Sequence, residues 1–234
     1  MTQRMSELMT VLACGTCHAP LFGLSTDSSF LCRGCGTAWG IGSDGLSRLP
    51  SSVRVSRDDD SLPLPFWSVK AGVTIESRTT RREIHKVGVE RGRWYSPSAE
   101  SGLRETGGQS GDRELVIPAF SVNGLFDIAV RLSAAVDSLP PEVDAGWPGL
   151  AGVFSSMDEV PELARGVCTG QEAAAPDWLA DLRLSVSVRS TALMVLPALL
   201  REETVFLPGP DVSFFRRNMP DLERIVAFHK DPPR

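Results

Sequence analysis

Four of the five cysteines in this 234-residue chain lie in two tight pairs near its N-terminus. The pairs are Cys14 with Cys17 and Cys32 with Cys35, and 14 residues separate them. Two thiolates that are two residues apart can reach one metal ion from a single tight turn, and two such turns at the ends of a hairpin complete a tetrahedral shell. Because tetrahedral thiolate shells suit zinc, the spacing predicts that these four cysteines bind one Zn²⁺ ion.

The predicted shell is closed. Catalytic zinc normally keeps one position for water or substrate, whereas four thiolates leave none, so we expect a structural ion. Its binding free energy, about 10–16 kcal/mol for such sites, would serve as folding energy for a module too small to fold by apolar burial. Redox chemistry by the cysteine pairs is an alternative, which the lack of a surrounding strand–helix–strand unit disfavours. An iron–sulfur cluster is another, and it would colour the protein.

The residues around the pairs predict the shape of the two turns. Gly36 follows the second pair and permits a tight turn there. His18 takes the equivalent place after the first pair, which predicts a less regular turn. The stretch between the pairs is rich in glycine, serine, threonine and aspartate, as the turn of a hairpin requires.

The segment from Leu12 to Pro50 resembles the zinc-ribbon superfamily, since two cysteine knuckles are followed by a Gly-Ser-Asp-Gly turn and a Leu-x-x-Leu-Pro exit. It is similar to the ribbons of transcription-factor-type proteins and of small zinc activator subunits of methyltransferases. Only the four cysteines carry over from the superfamily. The resemblance implies a fold and a metal rather than an activity, because ribbons occur in proteins of very different function.

The rest of the chain divides into a predicted linker and a larger domain. After the ribbon in residues 1–50, residues 51–63 are interpreted as a linker, because serine, proline and an acidic run leave few core-forming side chains. Residues 64–234 are predicted to form an α+β domain that is rich in antiparallel strands and has a few helices. Within it, the Ser-, Gly- and charge-rich residues 96–113 predict an exposed loop.

Hydrophobic periodicity predicts individual elements of this domain. Alternating apolar residues at 67–75 and 182–188 predict half-buried strands. Helical spacing from Leu125 to Leu139 predicts a helix that Asn123 caps. A shorter helix is expected around residues 177–182.

Further helices are expected after Asp158, with Pro161 interrupting the first of them, and over the C-terminal residues 222–228. Three segments share the form aliphatic-Pro-x-large apolar, and their prolines are Pro65, Pro118 and Pro197. Because proline cannot donate to a strand ladder, each should lie at a strand start, an edge or a bulge. The similarity leaves open whether the three strands arose by duplication.

The segment of residues 78–93, which we call the basic segment, is strongly basic although the chain has a formal net charge of −5. Its cationic side chains, which we treat as candidate anion- or partner-binding residues, are Arg78, Arg81, Arg82, Lys86, Arg91 and Arg93. Arginine beside aromatic residues suits phosphate or single-stranded nucleic acid. A solvated hairpin and a docking site for an acidic partner are the alternatives.

Motifs for catalysis or nucleotide binding are missing from the sequence, which has only three histidines. We therefore expect a non-catalytic zinc-binding accessory or scaffold subunit that binds a protein partner in a larger complex. Nucleic-acid binding through the ribbon and the basic segment is one alternative, and an enzyme with a site in residues 64–234 is another. Paired cysteines fit a reducing cytoplasm, and the sequence has neither a signal peptide nor an apolar run long enough to span a membrane.

Overall fold

The computed structural model of the protein describes residues 12–42, 45–55, 60–81, 103–108, 110–143, 148–175 and 177–231. It has an α+β architecture in which antiparallel strands dominate, so the fold class predicted from the sequence is confirmed. The described strands form a two-stranded, a three-stranded and a seven-stranded sheet. None of the described helices has both the length and the apolar character needed to cross a bilayer.

The elements follow one another along the chain in an order that places the small sheets first. The strands are β1 (Leu12–Ala13), β2 (Pro20–Leu21), β3 (Ser29–Leu31), β4 (Ala38–Gly42), β5 (Gly45–Leu49), β6 (Ser51–Val53), β7 (Leu62–Arg81), β8 (Leu103–Glu105), β9 (Gly111–Pro118), β10 (Trp178–Leu200), β11 (Thr204–Leu207) and β12 (Val212–Phe215). The helices are α1 (Leu125–Ala134), α2 (Val160–Ala173) and α3 (Leu222–Lys230).

Two long strands form the spine of the large sheet. β7 and β10 run antiparallel over nearly their whole lengths, from the pair Leu62 and Ala198 to the pair Arg81 and Trp178. β8 and β9 extend the sheet beyond β7, while β6 and β11 pair with β10 and β12 pairs with β11. β7 and β10 thus contain the two predicted strands at 67–75 and 182–188, and each continues well beyond its alternating segment.

The spine separates two hydrophobic cores, and this explains its sequence pattern. Side chains at odd positions of β7, such as Trp67 and Val69, face a core that contains α2 and the end of β5. Leu64 and Phe66 at even positions face a second core that contains α3 and β11. Strands covered on both faces read as continuous apolar runs, whereas from Lys70 to Glu76 the even face of β7 is open to solvent and the sequence alternates.

The three proline-containing segments lie side by side at one end of this spine. Pro65 is opposite Val195 on β10, and Phe66 is opposite Pro118 on β9. Pro197 is opposite another proline, Pro63. All these prolines are near strand ends, where the ladder has few hydrogen bonds to lose.

The predicted linker 51–63 contributes strand residues at both of its ends. Ser51–Val53 form β6, which pairs in parallel with Leu193–Val195, and Leu62 begins β7. Val53 and Val55 are buried, and these two side chains anchor a strand too short to give a periodic signal. The ribbon therefore continues directly into the large sheet, and the linker interpretation is corrected for these residues.

The predicted exposed loop 96–113 also contains strands where the structure describes it. Leu103–Glu105 form β8 against Thr79–Arg81, and β9 begins at Gly111. The side chains of β8 are all exposed, so backbone hydrogen bonds hold it and no apolar pattern marks it. Residues 96–102 lie outside the described part of the chain.

The predicted helices differ in outcome. The helix from Leu125 is confirmed as far as Ala134, and a short 3-10 helix at Val136–Ser138 replaces its predicted end at Leu139. Gly124 with a φ of 80° precedes α1 rather than a capping side chain of Asn123. Pro161 does not interrupt α2, because it lies in the first turn, where its missing N–H has no helical partner to lose. The prediction of a helix around residues 177–182 is wrong, since β10 begins at Trp178. Pairing of this strand with β7 outweighs the local preference for a helix.

A buried network of charges joins α2 to the spine. Glu172 of α2 lies between two arginines, with Oε2 at 3.0 Å from Nε of Arg78 and Oε1 at 2.6 Å from Nη2 of Arg113. The Arg78 guanidinium also binds Asp177, which raises the pKa of Arg78. Arg78 and Glu172 are 6% and 12% exposed. Glu172 therefore links two cations that burial would otherwise penalise, and Asp177 shares in the compensation of Arg78.

Replacing this shared carboxylate, as in Glu172→Ala, should lower the free energy of unfolding by about 3 kcal/mol, since truncating one member of a buried ion network leaves charge uncompensated. Urea denaturation measures the loss. The matched control is Glu114→Ala, whose partner Lys70 is 3.4 Å away and largely exposed, and it should cost less than about 1 kcal/mol. Equal losses in the two variants would contradict the structural role of the network.

Candidate metal centre

The four paired cysteines bring their sulfurs to one point, where all four lie within 4.8 Å of one another. The sulfurs of Cys14 and Cys35 are 3.7 Å apart, and those of Cys17 and Cys32 are 3.5 Å apart. Four sulfurs bound tetrahedrally at about 2.3 Å from a zinc ion would be separated by about 3.8 Å. The cluster therefore has the size and the donor chemistry to hold a metal ion.

Two backbone turns of the same shape carry these sulfurs. In the first, the N–H of His18 donates to the carbonyl of Cys14 at 2.9 Å, and in the second the N–H of Gly36 donates to the carbonyl of Cys32 at the same distance. His18 and Gly36 both have left-handed φ angles, 61° and 69°. The expectation of a less regular first turn is wrong, because the hydrogen bonds of the knuckle hold a histidine in the conformation that glycine adopts freely.

Short strands and a small apolar cluster position the two turns. The first turn connects β1 to β2, and the second connects β3 to β4. Leu21 and Phe30 are buried with Cys14 and Cys32. Gly15 within the first turn must lack a side chain, because a Cβ there would lie 2.5 Å from the ring of Trp39.

N–H groups around the first turn favour a charged sulfur. Burial raises the pKa of Cys14, but the backbone N–H groups of Cys17 and Thr16 outweigh it and bring the pKa to about 6. The N–H of Thr16 lies 3.4 Å from the Cys14 sulfur. The indole of Trp39 lowers this pKa further, and among the described residues its buried Nε1 has no hydrogen-bond partner besides this sulfur. A thiolate at Cys14 is the acceptor that this indole requires.

The opposite side of the cluster needs a positive charge. Burial raises the pKa of Cys32 to about 12, so its sulfur resists ionisation while no cation is beside it. A divalent cation would reverse that preference, because a coordinating thiol is deprotonated. The hydroxyl of Thr37 lowers the pKa of Cys35. The residues present therefore fit a bound metal ion better than four free thiols.

Access to the cluster is one-sided. Cys14 and Cys32 are fully buried, whereas Cys17 is exposed and Cys35 is half-buried. The cluster is therefore open to solvent on the side of Cys17 and Cys35.

The hairpin between the two cysteine pairs is clamped to the large domain. The buried carboxylate of Asp27 accepts the N–H of Gly152 at 2.9 Å and that of Leu24 at 2.7 Å. The next residue, Ser28, donates its N–H to the carbonyl of Val153 at 2.8 Å. The ribbon and the segment around Gly152 are thus held together by backbone and carboxylate hydrogen bonds.

A residue between two of the cysteines also contacts the C-terminal helix. The Arg33 guanidinium lies over the rings of Phe22 and Phe228, at 5.8 Å and 5.5 Å from their centroids. Gly149 is packed so closely against it that a Cβ would collide with the guanidinium. Burial lowers the pKa of the adjacent His229 to about 4, with the charge of Arg33 adding to the effect. The position of α3 therefore depends on the geometry of the second knuckle.

The predicted basic residues are not brought together where the structure describes them. Arg78 is buried in the network with Glu172, and Arg81 is the last residue of β7. The other four, Arg82, Lys86, Arg91 and Arg93, lie outside the described residues. Hence the one basic side chain of this set that is described has its charge compensated inside the protein.

Sequence reasoning missed a cleft of about 630 Å³ between α1, α2 and the start of β9. Its polar wall includes Arg113, Gln171 and Glu172, and Arg113 donates to Gln171 at 2.9 Å. No motif marks this cleft, since its polar residues come from segments that are far apart in the chain. The lone Cys168 nearby is buried, which raises the pKa of its thiol.

Comparison of the chain with protein-family models, with curated proteins and with solved structures gave no match. The assignment of the metal centre therefore depends on the cysteine geometry itself.

Removing a buried ligand by Cys32→Ser should abolish stoichiometric metal binding and destabilise the ribbon by several kcal/mol, because metal affinity is folding energy in such modules. Metal content by plasma mass spectrometry and thermal denaturation with and without a chelator measure the two effects. Cys168→Ser is the control and should leave metal content unchanged. Metal retained in full by Cys32→Ser would contradict the four-sulfur site.

The clamp residue Asp27 should make stability depend on pH. Burial raises its pKa from 3.8 to about 6, so the folded state favours the protonated carboxyl. The stabilisation from that proton is complete below about pH 4 and is lost as the pH rises through about 6. Relative to Asp27→Asn, the wild type should lose about 3 kcal/mol across this window. Urea denaturation from pH 4 to 7.5 measures the difference, and parallel curves would contradict it.

Proposed function

We propose that the protein is a non-catalytic accessory subunit that binds one structural Zn²⁺ ion and docks onto a protein partner in a larger assembly. The observation that carries the metal part is the closed cluster of four sulfurs. Thiolates in a tetrahedral arrangement select zinc over harder cations such as magnesium or calcium. When bound, the ion supplies folding energy and leaves no coordination position for a substrate.

The surroundings of the cluster support a structural role. Asp27 and Ser28 join the ribbon to the large domain, and Arg33 joins the second knuckle to α3. An ion at this junction would brace three parts of the fold at once. A catalytic ion would instead need an open coordination position for water or substrate, and four sulfur ligands leave none.

Exposed apolar side chains support the protein-binding part. Ile41 of the ribbon, Phe154 and Met157 are 48%, 58% and 44% exposed. β4 and the turn at Met157–Glu159 are in contact, so Ile41 and Met157 belong to neighbouring parts of the surface where ribbon and large domain meet. Large apolar side chains grouped at a surface are typical of interfaces between proteins.

The alternatives proposed from the sequence have less support. Nucleic-acid binding would need a continuous basic surface, and Arg78 is buried in an ion network within a chain of net charge −5. We also propose a reducing compartment such as the cytoplasm, because the thiolates must stay unoxidised to hold zinc.

Purification of the tagged 234-residue chain from its native host tests the proposal. We expect about one zinc ion per chain, measured by plasma mass spectrometry, and a stoichiometric protein partner that remains after nuclease treatment. The nuclease arm separates a protein complex from a nucleic-acid complex. A chain that purifies alone, or with nuclease-sensitive material only, would overturn the accessory-subunit role, while absence of zinc would overturn the metal assignment.

A further inference from the structure

The hairpin of β11 and β12 buries one face, and its other face carries two phenylalanines. Its buried side chains are Val205, Leu207, Val212 and Phe214, which belong to the second core. The opposite face carries Phe206 and Phe215, and Leu199 of β10 extends it. Since the solvated face of such a hairpin is normally polar, two phenylalanines there require an explanation.

Strand register places these three side chains on one surface. Leu199 is directly opposite Phe206, and Thr204 is directly opposite Phe215. Residues opposite each other in antiparallel strands share a face, so Phe206 and Phe215 are diagonal neighbours about 7–8 Å apart. Leu199 and Phe215 are 42% and 45% exposed. Together with Phe206 they form an apolar floor, and the polar side chains of Thr204 and Ser213 share its face.

An arginine covers each phenylalanine of this floor. The Arg201 guanidinium lies 4.0 Å from the ring centroid of Phe206, and that of Arg217 lies 4.7 Å from the centroid of Phe215. We call Leu199, Phe206, Phe215, Arg201 and Arg217 the capped face.

Both arginines of the capped face are exposed, and neither has a carboxylate partner among the described residues. Stacking on a ring orders the guanidinium and leaves the N–H groups along its edge free. Those N–H groups match a carboxylate in two-point geometry. The capped face thus presents two ordered cations on an apolar floor.

Local charge distinguishes the kinds of anion that fit. Glu202 and Glu203 are in the turn next to Arg201, and Arg216 is already paired with Glu223 at 3.0 Å. The surroundings are therefore mixed in sign, which disfavours a phosphate backbone with its dense negative charge. Two separate carboxylates flanking an apolar side chain are the better match.

We propose that the capped face docks a short acidic segment of a partner protein, which places an apolar side chain on the floor and one carboxylate on each arginine. This inference rests on the proposed protein-binding function and names the surface and the chemistry of its partner.

A defined peptide tests the proposal with the zinc-loaded 234-residue chain. The probe is a fluorescein-labelled dodecapeptide of alternating glutamate and leucine, and its binding is followed by fluorescence anisotropy. We expect saturable binding that weakens at least about tenfold in Arg201→Glu and in Arg217→Glu, since each variant replaces an attraction by a repulsion. Arg183→Glu changes the charge equally on an exposed part of β10 and should alter the Kd less than about twofold.

Two further probes identify the ligand class. A peptide with lysine in place of glutamate and a 12-nucleotide oligouridine should not bind. Thermal denaturation confirms that the variants fold, as their altered side chains are exposed. The proposal is overturned if the acidic peptide fails to bind at about 1 mM, if Arg183→Glu weakens it as much, or if the lysine peptide or the oligouridine binds with equal affinity.

The same variants separate this inference from the proposed function. A native partner that co-purifies with the wild type should be lost from Arg201→Glu/Arg217→Glu and retained by Arg183→Glu. If the double variant retains the partner, the capped face is the wrong surface while the accessory role stands. If even the wild type yields no partner, the accessory role itself fails.

Discussion

Closure of four sulfurs around one centre is the constraint on which the first fifty residues of the structure depend. Cys32 resists ionisation in its buried position, while Cys14 is surrounded by N–H groups that favour a thiolate. A divalent cation bound at the centre would remove the difference between these two thiols, because a thiol that coordinates a cation is deprotonated. From that centre, Arg33 reaches α3 and Asp27 reaches the segment at Gly152. The metal knuckles thus organise contacts far outside the small ribbon.

The large sheet supplies the second organising element. β7 and β10 form a spine with a core on either side, and Glu172 holds α2 to it through two arginines. Exposed apolar side chains remain in two places on the surface. One is where the ribbon meets the large domain, at Ile41 and Met157, and the other is the capped face. The proposed docking function would use these two apolar surfaces.

Hydrophobic periodicity predicted the strands and the helix that have one face in a core and the other towards solvent. The alternating segments at 67–75 and 182–188 lie within β7 and β10, and the helical spacing from Leu125 lies on α1. It failed for β6 and β8, since one is too short and the other is exposed on both faces. The basic segment was recognised by composition, but composition could not reveal that Arg78 is directed at Glu172, which is 94 residues away.

The amino-acid sequence alone determined the four metal-binding candidates, because ligand spacing within a knuckle is a local property and thiolate chemistry needs no tertiary context. It also determined the α+β class through local periodicity. Only the tertiary structure decided which charges are buried, how the ribbon joins the sheet, and that Phe206 and Phe215 share an exposed face beneath two arginines. These features depend on strand register and on contacts between distant segments, and a one-dimensional pattern does not encode them.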